Sequence, residues 1–161
     1  AAAAPPSDET ALDAGRMRWG ALVVLAVAGM GVAAYLTYTY WADEVVACGG
    51  VANCEAVQQS EYSAIAGVPV ALLGGLAATA LLSIALGRLA GLALAVEWAS
   101  LATLGLTTAS VAFAAYLTYV ELFVLEDICL YCVALACIFT VSWLISLGDS
   151  FLARDISPGP E

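Results

Sequence analysis

Long apolar segments without a polar face dominate the hydropathy pattern of the chain. Runs such as "ALVVLAVAGMGVAAYL" and "VPVALLGGLAATALLSIALG" lack the polar stripe that a soluble amphipathic helix presents to water. A bilayer-spanning helix needs about 20 mostly apolar residues. Four segments meet that requirement: 19–41, 68–87, 95–120 and 128–147. The pattern predicts an all-α, integral membrane four-helix bundle, and it disfavours the alternative of an alanine-rich soluble bundle.

Composition strengthens this prediction and divides the chain into three parts. Hydrophobic residues make up 63% of the sequence, whereas soluble domains contain about 45–50% by a similar count. Residues 1–15 are small, acidic and proline-containing, which predicts a disordered tail. Residues 16–150 form the predicted membrane domain, and residues 151–161 are predicted to be a C-terminal tail or a truncated linker.

The few positive charges predict how the four spans are oriented. Arg16 and Arg18 precede the first span, Arg88 separates the second from the third, and Arg154 follows the fourth. All four arginines therefore fall on one side, and basic residues mark the cytoplasmic side. The net charge of −10 and the absence of a basic patch disfavour nucleic acid as a partner.

Four of the five cysteines fall on the opposite, outer side. Cys48 and Cys54 lie in the loop 42–67 with five residues between them, and Cys129 and Cys132 open the last span in a CxxC pattern. Asn53 is predicted to cap a short surface helix that starts at Cys54, and Asp127 to cap the last helix. The positive end of that helix favours a thiolate at the CxxC pair, which would make Cys132 a good electron donor. The fifth cysteine, Cys137, is predicted to serve only in packing.

Three kinds of chemistry suit these four thiols. They could form two structural disulfides, bind zinc as four thiolates, or act as a thiol–disulfide relay in an oxidising compartment. The relay reading is favoured because it explains why two thiols lie at the hydrocarbon boundary. A flexible outer pair can meet soluble proteins, and an inner pair can meet a lipid-soluble oxidant. The chain contains no histidine, so the commonest general base is missing.

The order of these features resembles the vitamin K epoxide reductase family, in its bacterial branch. The resemblance covers residues 18–148 and rests on the four spans, the C-x5-C loop and the "CLYC" motif. The stretch "CEAVQQSEYSAIAGVPVALLG", residues 54–74, is similar to a family pattern of cysteine, hydrophobe, serine, aromatic, Gly-x-Pro and glycine. Those positions here are Cys54, Val57, Ser60, Tyr62, Gly67, Pro69 and Gly74.

The resemblance implies a membrane disulfide-generating oxidoreductase that supports oxidative protein folding. Cys48 and Cys54 would take electrons from a thioredoxin-like protein, and Cys54 would exchange with Cys129. Cys132 would pass electrons to a quinone of the ubiquinone, menaquinone or plastoquinone type. Ser60 would hydrogen-bond the quinone and Tyr62 would line its pocket. Because the chain has no histidine, the candidates for protonating the quinone are water, a thiol, Ser60, a tyrosine or a carboxyl group such as Glu55 or Glu61.

The chain also departs from the family pattern. Vertebrate members carry an asparagine in span two and a tyrosine in span four that contact vitamin K, and this chain has neither, which favours a respiratory quinone over vitamin K epoxide. Many bacterial members carry a fused thioredoxin-like domain, so the partner here is expected to be separate or removed. The implied location is the bacterial inner membrane, with both termini cytoplasmic. Alternatives are the second quinone-linked disulfide oxidase family, and a non-catalytic membrane subunit or assembly factor with structural disulfides.

Overall fold

Five helices and one short hairpin make up the fold. The computed structural model describes residues 8–48, 50 and 52–156. The helices, in chain order, are α1 (Asp8–Ala42), α2 (Cys54–Gln58), α3 (Val70–Leu89), α4 (Ala93–Val120) and α5 (Leu130–Ile156). The hairpin consists of β1 (Ala64–Ile65) and β2 (Val68–Pro69), which pair antiparallel.

The four long helices carry the apolar segments that the hydropathy pattern singles out. The stretches long and apolar enough to cross a bilayer are Leu12–Ala42, Val70–Leu89, Trp98–Leu125 and Leu130–Phe151. The prediction of an all-α membrane bundle with four spans is therefore confirmed. The second span starts two residues later than expected because residues 68 and 69 belong to the hairpin, and proline lacks the N–H that a helix interior requires.

The helices pack in a closed ring, so that α1 contacts α3, α3 contacts α4, α4 contacts α5, and α5 contacts α1. Small residues permit the closest approach. A Cβ atom placed on Gly75 of α3 would lie 3.3 Å from the Cβ of Ala33 on α1. Helices in lipid associate through such close contacts, since burial of apolar surface gives no advantage there.

Both ends of the membrane domain are longer than the sequence analysis predicts. Helix α1 begins at Asp8, so residues 8–15 of the expected disordered tail are helical. Acidic side chains in the first turn stabilise a helix because their negative charge is attracted to the positive end of the helix dipole. Helix α5 likewise continues to Ile156 through the first half of the expected C-terminal tail. Residues 1–7 and 157–161 of the two predicted tails lie outside the described residues.

One end of the bundle gathers the basic residues. The Arg88 guanidinium at the end of α3 lies 5.9 Å from the ring centre of Trp19, near the start of α1. Trp19 packs at this end of the bundle in a hydrophobic cluster that includes the buried residues Leu81 and Ala85. The side chain of Arg154 lies outside the described part of the chain. Which membrane face this end occupies stays a prediction from the positive charges.

The opposite, cysteine-bearing end is closed by α2 and the hairpin. The hairpin turn uses Ala66 and Gly67, which both have positive φ angles of 52° and 82°. Two-residue turns of this kind match the twist of the paired strands. The sequence analysis does not predict this hairpin. It leads the chain from α2 into α3 and so places Cys54 directly over the bundle.

Candidate functional site

The outer loop holds a disulfide between Cys48 and Cys54. Their Cα atoms are 6.1 Å apart. The expected cap is confirmed, because the Asn53 side chain accepts a hydrogen bond from the Ala56 N–H and α2 begins at Cys54. Cys48 is half-buried, whereas Cys54 is only 2% exposed. A protein partner in solution therefore has easier access to the Cys48 sulfur than to the Cys54 sulfur.

The CxxC pair lies where α5 begins, and both of its thiols are free. Cys129 immediately precedes the helix and is 2% exposed. Its sulfur accepts a hydrogen bond from the Cys132 N–H, at 3.4 Å. Donation from the Cys132 thiol and that N–H holds the pKa of the Cys129 thiol below its usual value, against the opposing effects of burial and a nearby carboxylate. These hydrogen bonds therefore favour the thiolate form of Cys129, and the expected role of Cys132 as the electron donor stays a prediction.

Cys54 and Cys129 belong to one buried cluster. Leu36 and Val46 complete its core, and Cys48 and Cys132 pack at its edges. The four cysteines that the sequence analysis selects therefore come together, although they come from a loop and a distant helix. Because Cys48 and Cys54 are joined in a disulfide, they do not offer the free thiolates that the zinc alternative requires.

Two tyrosines that the sequence analysis does not select hold the loop against the CxxC helix. The Tyr131 hydroxyl donates to the Ala47 carbonyl at 3.1 Å, and the Ala47 N–H donates to the Tyr35 hydroxyl at 3.5 Å. The two rings are 5.2 Å apart between centroids. Ala47 precedes Cys48, so this contact fixes the loop disulfide close to the CxxC motif.

Gln58 attaches α2 to the membrane bundle. Its side-chain N–H₂ donates to the Leu36 carbonyl at 2.8 Å and to the Thr39 hydroxyl at 3.0 Å. Its amide oxygen is buried without a hydrogen-bond partner. A polar side chain at the end of α2 therefore holds Cys54, at the start of the same helix, against α1.

A cavity of about 390 Å³ lies next to the CxxC pair. Its wall is mostly apolar and comes from all four long helices and the outer segment, for example Leu36, Val70, Leu73, Gly74, Leu106, Phe113, Leu117, Leu135 and Phe139. Cys129 and Cys132 form part of the wall. Ligand pockets in proteins have volumes of about 300–1,000 Å³ and combine apolar walls with a few polar groups. This cavity has the size and the lining of a ligand pocket in both respects.

Ser60 and Tyr62 both line this cavity. The Ser60 hydroxyl donates to the Val57 carbonyl at 2.6 Å, so it presents lone pairs to the cavity and must rotate in order to donate to a ligand. Their expected roles as quinone contacts stay predictions. Glu55 and Glu61, the expected carboxylic acids, are exposed and are not among the lining residues.

Glu121 is the site residue that the sequence analysis does not find. It follows α4 at the start of a π-helical turn, Glu121–Leu125, and is 5% exposed. One carboxylate oxygen accepts a hydrogen bond from the Cys129 N–H at 3.3 Å, and Glu121 lines the same cavity as Cys132. Turns of this type often occur at functional sites. In the sequence, Glu121 is one of three acids in a short turn and has no feature that sets it apart.

Two further expectations need correction. Cys129, and not Asp127, caps α5, because its sulfur accepts from the Cys132 N–H in the first turn of the helix. The π-helical turn brings Glu121 back over this helix end, where it accepts from the Cys129 N–H. Cys137 is exposed on α5 instead of packed inside the bundle. A thiol is apolar enough to face lipid, and this position keeps Cys137 away from the other four cysteines.

In a comparison with models of protein families, residues 20–147 match the Vitamin K epoxide reductase family. The matched region contains the second and third spans and most of the first and fourth. It also contains the disulfide loop, the CxxC pair and the residues that line the cavity.

Proposed function

The chain belongs to the vitamin K epoxide reductase family, whose members are membrane thiol–disulfide oxidoreductases, and we propose that it is a thiol:quinone oxidoreductase. It would take electrons from a thioredoxin-like protein through Cys48 and Cys54 and pass them through Cys129 and Cys132 to a quinone. One observation carries the proposal. Cys54 and Cys129 share a buried cluster, and Cys132 lies in the wall of an apolar cavity.

Electron entry is proposed at Cys48. A partner thiolate attacks its sulfur, because Cys48 is the more accessible half of the loop disulfide. The Cys48–Cys54 bond breaks, and Cys54 leaves as a thiolate. The second thiol of the partner then resolves the mixed disulfide, so that the partner is oxidised by two electrons and Cys48 and Cys54 are both reduced. Exchange through a mixed disulfide is the general route for such reactions.

Transfer between the two pairs follows from the position of Cys54. Its thiolate attacks Cys129 of the oxidised CxxC pair, and Cys132 is released. Cys48 then attacks Cys54, which restores the loop disulfide and releases Cys129. The Cys132 N–H donates to the Cys129 sulfur and stabilises its thiolate, so Cys129 is a good leaving group in this step. Two electrons have now moved from the loop pair to the CxxC pair.

The cavity is the proposed quinone site. A quinone bound there accepts two electrons and two protons, and the reduced CxxC pair returns to the disulfide. Leu73, Phe113 and Phe139 would contact the ring or its first prenyl units, and Ser60 and Tyr62 would offer polar contacts. The α3 wall, which includes Val70, Gly74 and Ala77, contains no amide group. That wall supports a respiratory quinone over vitamin K epoxide as the substrate.

The proposed setting is a bacterial inner membrane with the cysteines on the periplasmic side. The positive-inside rule supports this orientation, since arginines flank only the other end of the spans. Disulfides persist in the periplasm, so the product disulfides would support oxidative protein folding there. The outer loop carries acids and no base, which would attract a basic surface on the thioredoxin-like partner.

Quinone reduction by the purified protein in detergent tests the proposal. A small dithiol supplies the electrons, and the wild type is compared with Cys132→Ala and with Cys137→Ala as the matched control. We expect turnover in the wild type, its loss in Cys132→Ala and its retention in Cys137→Ala, because Cys137 is outside the cavity. An inactive wild type across ubiquinone, menaquinone and plastoquinone analogues would refute the proposal. It would leave the alternative of a membrane subunit or assembly factor with structural disulfides.

A further inference from the structure

Glu121 is a buried acidic side chain, and the described residues place no basic side chain beside it. It is 5% exposed, and the chain contains neither lysine nor histidine. The four arginines flank the other ends of the spans. Burial of a carboxylate without a cationic partner is costly, and an apolar residue would avoid that cost. Such a group is a candidate for a chemical role.

The contacts of Glu121 place it between the CxxC thiols and the cavity. Its carboxylate accepts from the Cys129 N–H at 3.3 Å. It also forms part of the cavity wall, together with Cys129 and Cys132. Among the residues that the structure describes, it is the only carboxylic acid in this wall.

The proposed reaction needs such a group. Oxidation of a dithiol to a disulfide by a quinone moves two protons together with two electrons. The pKa of the Cys129 thiol is lowered by its hydrogen bonds to Cys132. In the proposed reaction Cys129 gives its proton to the outer solvent, and the quinone takes one of its two protons back from the solvent. The Cys132 proton has to leave within the apolar cavity. Ser60 already donates to a backbone carbonyl, and its hydroxyl is a weak acid and base.

We propose that Glu121 is a catalytic residue that carries the Cys132 proton. Its carboxylate takes this proton as the Cys129–Cys132 bond forms, and then releases it to a quinone oxygen, so that the carboxylate is regenerated. The two electrons leave the sulfur atoms, one S–S bond forms, and no other oxidant is needed. This inference rests on the proposed function and names the proton path that the function requires.

A purely structural role is the competing explanation. Glu121 could serve only to accept the Cys129 N–H at the start of α5. The substitution Glu121→Gln distinguishes the structural role from the proton-carrier role. The amide oxygen still accepts the hydrogen bond from the Cys129 N–H, but the amide no longer binds and releases a proton. Glu121→Asp retains the carboxylic acid. Glu126→Gln is the matched control, since Glu126 is exposed in the same turn and is not among the lining residues.

The first measurement uses no quinone. All variants are made on a Cys137→Ala background and reduced with a dithiol. The rate of Cys132 modification by N-ethylmaleimide is then followed at one fixed pH by mass spectrometry. The carboxylate accepts the thiol proton and repels a thiolate, so Glu121→Gln should speed this modification at least about fivefold. Glu126→Gln should change it less than twofold.

The second measurement is quinone reduction by the same proteins. Loss of general acid–base catalysis should slow Glu121→Gln about 100-fold or more, whereas Glu121→Asp should retain at least a tenth of the wild-type rate. Faster modification of Cys132 together with slower turnover is the expected signature of a proton carrier. A partly unfolded protein would also modify faster at Cys54, which is 2% exposed in the fold, so the Cys54 rate serves as the internal check.

The outcomes are distinct. Glu121→Gln within threefold of wild-type turnover overturns the inference and leaves the proposed function intact. Slower turnover with unchanged modification of Cys132 also overturns it, because the carboxylate would then not hold the thiol proton. If the wild type itself reduces no quinone, the proposed function fails, and the inferred proton transfer to a quinone fails with it.

Discussion

Gln58 offers the sharpest test of how the structure positions Cys54. Its N–H₂ group donates to the Leu36 carbonyl at 2.8 Å and to the Thr39 hydroxyl at 3.0 Å. These bonds connect the end of α2 to α1. The substitution Gln58→Glu keeps the shape of the side chain, removes both donated bonds and places a carboxylate oxygen against a carbonyl oxygen. We expect α2 to detach from the bundle more often.

The size of the effect follows from the two bonds. A typical hydrogen bond contributes about 0.5–1.5 kcal/mol to stability, so the loss of two favours the detached state by about 1–3 kcal/mol. Since about 1.4 kcal/mol corresponds to a factor of ten, the opening equilibrium should rise roughly 5- to 150-fold. The Leu36 carbonyl keeps a bond from Thr39, which places the expected value in the lower part of this range.

The assay is modification of Cys54 in a Cys48→Ala background, where Cys54 is a free thiol. Cys54 is 2% exposed, so a charged methanethiosulfonate reagent reacts only after α2 opens, and the rate reports the opening equilibrium. Gln59→Glu is the matched control on the same helix, because Gln59 is exposed and bonds only the Glu55 side chain. Equal rates in both variants, or an increase below twofold in Gln58→Glu, would refute the reasoning.

Two further predictions concern the CxxC pair and the helix packing. Because the Cys132 thiol is the largest cause of the lowered Cys129 pKa, Cys132→Ala should move the pH profile of Cys129 alkylation to higher pH, and an unchanged profile would contradict this. Gly75→Leu should lower the free energy of unfolding by about 1–3 kcal/mol through overpacking, since a Cβ there lies 3.3 Å from Ala33. Gly105→Leu, with open space around it, is the control in the same thermal unfolding measurement, and equal losses would contradict the packing argument.

Those parts of the fold that depend on local composition could be predicted from the sequence. Long apolar runs define the four spans within a few residues, because a bilayer imposes the same length and polarity on every helix that crosses it. The cap at Asn53 was predictable for a similar reason, since the residue type at a helix start decides whether its side chain can cap the helix. The sequence likewise placed Cys129 and Cys132 at the beginning of a helix, and their redox role stays a prediction.

The missed features depend on contacts between distant parts of the chain. Tyr131 bonds to Ala47 across 84 positions, and no local pattern encodes that pair. In the sequence, nothing distinguishes Glu121 from Glu126. In the structure, the π-helical turn buries Glu121 and leaves Glu126 exposed. Asp127 resembled a helix cap because of its position, yet the same turn gives the bond to Glu121. Backbone irregularity thus decided which acid entered the site.

The proposed function gives a reason for the position of Cys132 at the hydrocarbon edge, because the CxxC pair would then join two environments. A thiolate that exchanges with a protein needs N–H donors, and only the start of a helix leaves N–H groups free; Cys129 receives one. A quinone needs apolar walls, and these begin one helical turn further along α5, with Cys132, Leu135 and Phe139 in the wall of the cavity. In the proposed relay, a two-residue spacing at a helix start is therefore sufficient to pass electrons from the loop cysteines to a lipid-soluble quinone. If the CxxC motif were moved by one turn into α5, Cys129 would lose its free N–H donor and exchange with Cys54 should fail while the cavity remained.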